Sequence, residues 1–172
     1  SARNYLNFCE QLEFIPIKLI NKYRKVLKFE HGNVDFHVPT DKEVITNLAK
    51  LSGCHELKLV YYILATSGIR YIECIDFLKN YDTNKVITSR GFISYNISRQ
   101  RNTKNINNIY LPQFVFKKLK QISISYNSLR MQYNRRKPNF ALKYLRKWQY
   151  NFLLYNQVPE SVADFIQGRS GK

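Results

Sequence analysis

The sequence predicts a mainly α-helical fold with one small antiparallel β-sheet, which places it in the α+β class. Apolar residues recur at helical spacing through most of the 172 residues. Between Val86 and Leu111 the pattern changes to alternation of apolar and polar residues, the period of a strand. A hydrophobic fraction of 44% is ample for a packed core, which argues against a disordered chain.

The amino-terminal part reads as a separate helical segment followed by a linker. Apolar residues recur at helical spacing through residues 1–30, and Pro16 breaks or kinks this run. Residues 30–38 are polar and contain a glycine, as expected for a linker. We therefore divide the chain into residues 1–37, a helical segment and linker, and residues 38–172, the main domain.

Three helices are predicted at the start of the main domain. Thr40 and Glu43 have the spacing of a capping box, so a helix begins after Thr40, and Gly53 ends it. A second helix ends at Gly68, a plausible position for a left-handed C-terminal residue. A short third helix follows, and it carries the apolar residues Ile72, Ile75 and Leu78.

A hairpin and three further helices complete the predicted order. Residues 99–105 read as the hairpin tip, and Pro112 opens a helix that carries Phe114, Phe116, Leu119 and Ile122. Residues 123–138 are polar and basic, without a clear period. The longest helix starts at Pro138. A last helix begins near Pro159, is buried through Val162, Phe165 and Ile166, and ends at Gly168.

Positive charge is concentrated in one part of the chain. The formal net charge is +16, and residues 83–159 contain no Asp or Glu but 15 Lys and Arg. Self-repulsion on this scale destabilises a compact state, and a polyanionic partner relieves it. Nucleic acid is the default partner, because Lys and Arg neutralise phosphates and release counterions. An anionic membrane surface is the competing polyanion.

Cofactors and metals are not indicated. The three Cys and three His show no metal-ligand spacing, and none of the six glycines belongs to a phosphate-binding loop. We expect reduced thiols in an intracellular protein without a membrane span, a secretory signal or a small-molecule cofactor. Any chemistry is therefore expected to use side chains alone.

Four basic sites stand out by their positions on the predicted elements. Arg70 follows the helix end at Gly68, and Lys104 lies in the hairpin tip. Lys143 and Arg146 are three residues apart on one helix face, and Arg169 follows the last helix. Each residue alone is more often a solvated cation. Their order along the chain is what gives them significance.

In this order the residues resemble the motifs of the tyrosine recombinases, the phage integrase family. The block from Thr66 to Glu73 resembles the T-G-x-R-x-x-E motif, with Ser67 in place of Thr. Lys104 falls on the β-hairpin lysine. Residues 143–146 fall on the H-x-x-R box, with Lys in place of His, and residues 164–170 resemble the L-G-H-S block, with Arg169 in place of His. The combination is most similar to the integrases of archaeal spindle-shaped viruses.

The resemblance implies a metal-free catalytic centre for cleaving and rejoining DNA strands through a 3′-phosphotyrosine link. Arg70 and Arg146 would bind the non-bridging oxygens of the phosphate, where planar guanidinium groups fit best. Lys104 would protonate the 5′-oxygen leaving group. Lys143 and Arg169 would add charge or hydrogen bonds, and Glu73 would orient a basic partner; its alternative is an ordinary helix carboxylate.

One catalytic group is not expected within residues 1–172. The resemblance places the nucleophilic tyrosine about ten residues past Arg169. We therefore expect that residues 1–172 alone form no covalent link to DNA. The resemblance also implies that residues 1–37 are the end of a preceding core-binding domain; the alternative is that residues 1–30 simply pack on the main domain. The expected partners are a double-stranded attachment site and further copies in a tetramer on DNA. The expected DNA-binding residues are Arg99, Arg101, Arg130, Arg135, Arg136, Lys137 and Lys147.

Two other functions remain possible at this point. A DNA-binding regulatory protein without catalysis would explain the charge, but not why basic residues occupy these four positions in this order. An RNA-binding protein could stack bases on some of the 13 Tyr and 11 Phe, although many of these occupy core-periodic positions. A tyrosine about ten residues past Arg169 would favour the recombinase.

Overall fold

The computed structural model describes residues 2–26, 35, 37–101 and 104–169. By contacts, the chain divides into two compact units, residues 1–36 and residues 37–172. The first unit contains helices α1 (Ala2–Gln11) and α2 (Ile17–Val26). Arg24 of α2 joins them, because its guanidinium donates to Glu10 Oε1 (3.1 Å) and to Asn7 Oδ1 (2.8 Å).

The second unit is mainly helical with one three-stranded sheet, which confirms the predicted fold class. Its elements are, in order, α3 (Asp41–Lys50), α4 (His55–Ser67), α5 (Tyr71–Lys79), a 3₁₀ turn (Thr83–Lys85), β1 (Val86–Thr88), β2 (Phe92–Arg101), β3 (Lys104–Pro112), α6 (Gln113–Phe116), α7 (Tyr126–Arg135), α8 (Tyr144–Tyr155) and α9 (Glu160–Gln167). None of the described helices is long and apolar enough to cross a bilayer.

Helix α4 is the centre of the core. Its buried side chains face several directions, and α5, α8 and β3 pack against it. The buried set is Leu57, Leu59, Val60, Tyr61, Ile63, Leu64 and Ser67. Each fully buried aliphatic side chain contributes roughly 1.5–3 kcal/mol relative to exposure. The carboxyl end of α4 is therefore a rigid base for the residues that follow it.

Strand pairing follows the predicted alternation. The sheet is antiparallel in the order β1-β2-β3. Ile93 pairs with Leu111 and Tyr95 with Ile109, and all four side chains are buried on the face that joins the core.

The predicted capping box at the start of α3 is also present. Thr40 Oγ1 accepts from the Glu43 N–H (3.3 Å), and Glu43 Oε2 accepts from the Thr40 N–H (2.8 Å).

The predicted hairpin tip is too long. Backbone pairing continues through Arg99↔Ile106 and Gln100↔Asn105 to Arg101↔Lys104, after a register shift between Asn96 and Arg99. The polar side chains suggested a loop, but ladder hydrogen bonds join backbone groups and do not require apolar side chains. Lys104 is therefore the first residue of β3.

Residues 123–138, which show no clear period in the sequence, contain helix α7. Helix α7 starts after Ser125, whose Oγ accepts from the Ser128 N–H (3.1 Å). It buries Leu129 and Tyr133, which are four residues apart on one face. Two apolar positions are too few to give a visible period, so only packing reveals this helix.

Three other helix predictions need correction. The helix after Pro112 is only Gln113–Phe116, because the chain then extends until Ile122 N donates to Leu78 O (3.0 Å). Helix α8 begins at Tyr144 rather than Pro138. Helix α9 buries Ala163 and Gln167, whereas Val162 and Phe165 are 44% and 63% exposed. Helices α8 and α9 pack against each other, and the small Ala163 is fully buried.

Candidate active site

The turn between α4 and α5 positions Arg70. Gly68 ends α4 in the left-handed conformation (φ 64°), and Arg70 directly precedes α5 with extended backbone. The buried Glu73 carboxylate holds Arg70 twice, since Oε2 accepts from the Arg70 N–H (2.8 Å) and Oε1 accepts from Arg70 Nη1 (2.5 Å). Glu73 therefore fixes both the backbone and the guanidinium of Arg70.

Arg146 projects from α8 onto the ends of two other helices. Its Nη1 donates to the carbonyl of Gly68 at 2.6 Å, and its Nη2 donates to the carbonyl of Gln167 at 2.8 Å. A guanidinium carries five N–H donors, so three remain for other acceptors. The first carbonyl belongs to the residue two positions before Arg70, and the second belongs to the residue two positions before Arg169. Arg146 therefore contacts the backbone beside both of these arginines.

The charges of these arginines act on one another. Burial is the largest effect, and together with repulsion by Arg70 and Arg169 it lowers the pKa of Arg146 to about 10. Glu73 and Asp164 act in the opposite direction. At neutral pH Arg146 stays protonated, so the site concentrates positive charge in a partly desolvated place. An anion bound there would relieve the repulsion.

Arg169 is held at the end of α9. Gly168 ends that helix in the left-handed conformation, and the Arg169 N–H donates to the Asp164 carbonyl at 2.8 Å. The guanidinium carbon lies 3.9 Å from the centre of the Tyr150 ring, and Nε lies 3.9 Å from Asp164 Oδ1. Stacking and the ion pair restrict a side chain that is still 39% exposed.

Lys143 lies at the start of α8, three residues before Arg146. Its Nζ is 4.8 Å from the centre of the Tyr144 ring, and Lys147 Nζ is 5.3 Å from the same ring. Lys147 Nζ is also 3.5 Å from the His37 carbonyl, and the His37 ring packs edge-on against Tyr144. Both lysines thus share one aromatic support at the amino end of α8.

Three predicted residues lie where only the backbone is described. Arg99 and Arg101 belong to β2 and Lys104 to β3, and their side chains are outside the described part of the chain. Arg101 and Lys104 face each other as the last pair of the ladder.

The other predicted DNA-binding residues lie on or just after α7. Arg130 is exposed and close enough to Tyr71, the residue after Arg70, to lower the pKa of that phenol slightly against the larger effect of burial. Arg135 and Lys137 are exposed. Arg136 is partly buried, and its Nη2 donates to Cys54 Sγ at 2.7 Å. This basic segment is therefore mostly helical, and one of its arginines, Arg136, is directed into the fold.

Sequence reasoning missed two glutamines beside Arg146. Gln149 and Gln167 are 4% and 0% exposed, and Gln167 Nε2 donates to Gln149 Oε1 at 2.5 Å. The available signals were weak: Gln149 interrupts the apolar stripe of α8, and Gln167 occupies the Leu position of the L-G-H-S block. Neither pattern indicates which partner the amide has.

Known structures share this fold. The chain matches XerA recombinase with a TM-score of 0.58 and 12% identity, over 99% of this chain and 74% of that one. It matches XerH recombinase in a post-cleavage complex with palindromic difH (0.62, 12%, over 84% of this chain) and a lambda integrase dimer bound to a COC′ core site (0.61, 13%, over 86%). It spans about half the length of those two chains, 50% and 49%. No curated protein matches it.

The fold is that of the catalytic domains of tyrosine recombinases. The family profile described as archaeal phage integrase matches residues 36–172. The chain therefore belongs to the archaeal phage integrase family.

Proposed function

We propose that the chain recognises an attachment site in double-stranded DNA and carries the residues that activate one phosphodiester for cleavage and rejoining. The observation that carries this proposal is the position of Arg146, whose guanidinium contacts the carbonyls of Gly68 and Gln167 and is repelled by the charges of Arg70 and Arg169. Three guanidinium groups around a partly desolvated centre suit a phosphate that gains charge in the transition state.

The proposed reaction requires little more than placed positive charge. The oxygen of a tyrosine, about ten residues past Arg169, attacks phosphorus and gives its proton to solvent. A bond from phosphorus to this oxygen forms, the bond to the 5′-oxygen breaks, and Lys104 gives a proton to that oxygen. Arg70 and Arg146 bind the non-bridging oxygens, with Glu73 orienting Arg70. Arg169 and Lys143 supply further charge.

The role of Lys104 has a direct chemical test. A 5′-thio leaving group departs without protonation, so it removes the need for a general acid. We expect Lys104→Ala to slow cleavage of an ordinary phosphodiester and thio substitution to restore most of the rate. If thio substitution restored the rate of Lys143→Ala instead, the general acid would be Lys143 and not Lys104.

The DNA interface is proposed to surround this centre. Arg130 is close to Tyr71, at the start of α5. Arg135 and Lys137 add exposed charge, and Lys147 on α8 adds a partly exposed one. Arg99 and Arg101, at the end of the hairpin, complete the set, and Arg136 contributes least because it contacts Cys54. Alanine variants of Arg135 and Arg136 test this ranking by their duplex affinities.

Three further proposals concern the whole integrase. Residues 1–37 form the end of a core-binding domain that precedes residues 38–172. Four copies assemble on DNA, which mass measurement of protein–DNA complexes would test. The reaction takes place inside an archaeal host cell, for a virus of the spindle-shaped class or a related plasmid. Integration of a marked element in host cells would test this last point.

The decisive experiment is a suicide-substrate assay on the full-length protein. A nicked duplex loses the short 5′-hydroxyl strand after cleavage, so a covalent 3′-phosphotyrosine adduct accumulates. We expect an adduct that survives denaturing electrophoresis and disappears with the tyrosine replaced by phenylalanine. Specific duplex binding without an adduct would favour the non-catalytic DNA-binding function instead.

A further inference from the structure

Gln167 contacts Arg146 from two directions. Its backbone carbonyl accepts from the Arg146 guanidinium (2.8 Å), and its side-chain amide donates to the Arg146 carbonyl (2.8 Å). The same amide donates to Gln149 Oε1, one turn further along α8 (2.5 Å). The hydrogen bonds thus close a ring between the middle of α8 and the last turn of α9.

Gly68 makes this ring tighter. A Cβ atom at this position would lie 2.4 Å from Gln149 Oε1 and 2.7 Å from Gln167 Nε2. Side-chain carbon atoms do not approach other atoms so closely, so the two amides fill the space that the glycine leaves open. The carbonyl of Gly68 is the other acceptor of Arg146 (2.6 Å).

This arrangement is not the one that favours stability most. Gln167 is fully buried, and its Oε1 has no hydrogen-bond partner among the described residues. An unpaired buried acceptor lowers stability, because it loses its hydrogen bonds to water without replacement. A leucine, the residue of the L-G-H-S block, would fill the position without that cost. The amide therefore needs an explanation other than packing.

We propose that Gln149 and Gln167 are positioning residues that hold the Arg146 guanidinium in the orientation required by the scissile phosphate. This inference rests on the proposed function. Arg146 is aligned by two carbonyls that belong to different helix ends. The Gln167 carbonyl keeps its place against Arg146 only while α8 and α9 stay in register. The Gln167 amide, which donates to the Arg146 carbonyl and to Gln149 Oε1, is a side-chain bridge between these two helices. Small misplacement of an aligned donor lowers the rate strongly.

The test uses Gln167→Met and Gln149→Met in full-length protein, because methionine keeps the length of the side chain and removes the amide. The matched control is Gln132→Met on α7, where the amide donates only weakly to Ser128 Oγ (3.4 Å). Cleavage is measured in single turnover with protein in excess. We expect the first two variants to cleave at least tenfold more slowly, with duplex affinity and melting temperature close to those of the parent protein.

A second substrate identifies Arg146 as the group affected. A methylphosphonate at the scissile position lacks the negative non-bridging oxygen that the guanidinium binds. The defect of Gln167→Met relative to the parent protein should therefore shrink on this substrate. An equal defect on both substrates, a melting temperature lowered together with affinity, or parental cleavage by both variants would overturn the inference. Failure of the parent protein to form any adduct would instead overturn the proposed function.

Discussion

At the level of single residues, Arg146 combines a structural and a proposed catalytic contact. Its two bonds to the carbonyls of Gly68 and Gln167 anchor the ends of α4 and α9. Burial and two neighbouring arginines disfavour its charge, and they lower its pKa to about 10. A partly buried cation whose charge the fold disfavours gains most from a bound anion, which is the property a phosphate site needs.

We expect Arg146→Lys to reduce single-turnover cleavage by about 100-fold or more, the effect of losing one aligned donor of roughly 3 kcal/mol. A lysine ammonium is a compact charge and cannot contact two carbonyls and a phosphate in one plane. Duplex affinity should change little, because this phosphate is one among many. Arg135→Lys, at an exposed position on α7, is the control and should cleave normally. A large loss of affinity in Arg146→Lys with unchanged chemistry would contradict this assignment.

Gly68 is required for two separate reasons, its left-handed φ of 64° and the amides against its missing Cβ. Gly53 has a similar φ of 77°, but a Cβ there would meet nothing within 4 Å among the described residues. We expect both alanine variants to lose about 1 kcal/mol through backbone strain. Gly68→Ala should lose at least a further 1–3 kcal/mol through overpacking. Urea unfolding of both variants measures the difference, and equal losses would contradict the steric argument.

At the level of elements, a buried polar network connects α3 and α7 to the segment before α8. Tyr133 OH donates to the Phe140 carbonyl (2.9 Å) and accepts from Asn47 Nδ2 (3.2 Å). Asn47 Oδ1 accepts from the Asn139 N–H (2.8 Å), and Lys50 Nζ donates to the Lys137 carbonyl (2.9 Å). The network fixes an irregular segment that leads directly into the helix carrying Arg146.

Tyr133→Phe should lower the free energy of unfolding by about 1–3 kcal/mol, because it leaves a buried carbonyl and a buried amide without their partner. Tyr155→Phe is the matched control: this side chain is 89% exposed, and its loss of a hydroxyl should have no measurable effect. Chemical denaturation with both variants decides the point. Equal stability of Tyr133→Phe and the parent protein would mean that the segment is held by packing alone.

At the level of the whole molecule, we expect the positive charge of the second unit, residues 37–172, to dominate binding to DNA. We predict that duplex affinity falls steeply with salt, with a slope in log–log form of about −0.9 for each phosphate neutralised. Lys118 lines a basic cavity with His55, Lys58 and Lys120. This cavity lies beside the amino end of α4, because Lys58 is nine residues before Ser67, the last residue of that helix. That separation is roughly 14 Å along the helix axis.

Alanine at Arg130, which is close to Tyr71 beyond the carboxyl end of α4, should therefore make the slope less negative by about 0.9. Lys118→Ala, at the cavity beside the amino end of α4, should leave the slope unchanged. The measurement is affinity by fluorescence anisotropy across a salt series. An equal effect of Lys118→Ala would extend the DNA interface to that cavity, contrary to this expectation.

The free energy of unfolding of the second unit is expected to fall at alkaline pH. Burial raises the pKa of the Cys74 thiol and of the Tyr61 and Tyr133 phenols. In the unfolded chain these groups lose protons from about pH 8.5 for Cys and pH 10 for Tyr, while the folded state keeps them. Above those values the unfolded state binds fewer protons, so the free energy of unfolding falls as pH rises.

Urea unfolding at pH 8, 9 and 10 should show this loss, with a slope of up to about 1.4 kcal/mol per pH unit for each group. Cys74→Ala should weaken the fall between pH 8.5 and 10, because one of the titrating groups is gone. Stability that stays constant or rises over this range would show that the buried groups ionise without unfolding.

The features that the sequence predicted correctly depend on neighbours along the chain. A few adjacent residues determine each of three features: the Thr40 capping box, the left-handed end at Gly68 and the strand alternation. These features could therefore be predicted without a structure. The concentration of charge and the order of the basic motifs were equally visible, and the family profile that matches residues 36–172 agrees with them.

Tertiary structure alone decided which distant groups meet. Helix α7 needed packing of Leu129 and Tyr133 to become stable, and β2 and β3 extended because their backbones pair. The contacts of Arg146 with carbonyls 78 and 21 residues away follow from the arrangement of three helix ends. No local sequence pattern encodes such contacts. Their energy depends on where the core places the backbone, and on how far water is excluded from between the guanidinium and the carbonyls.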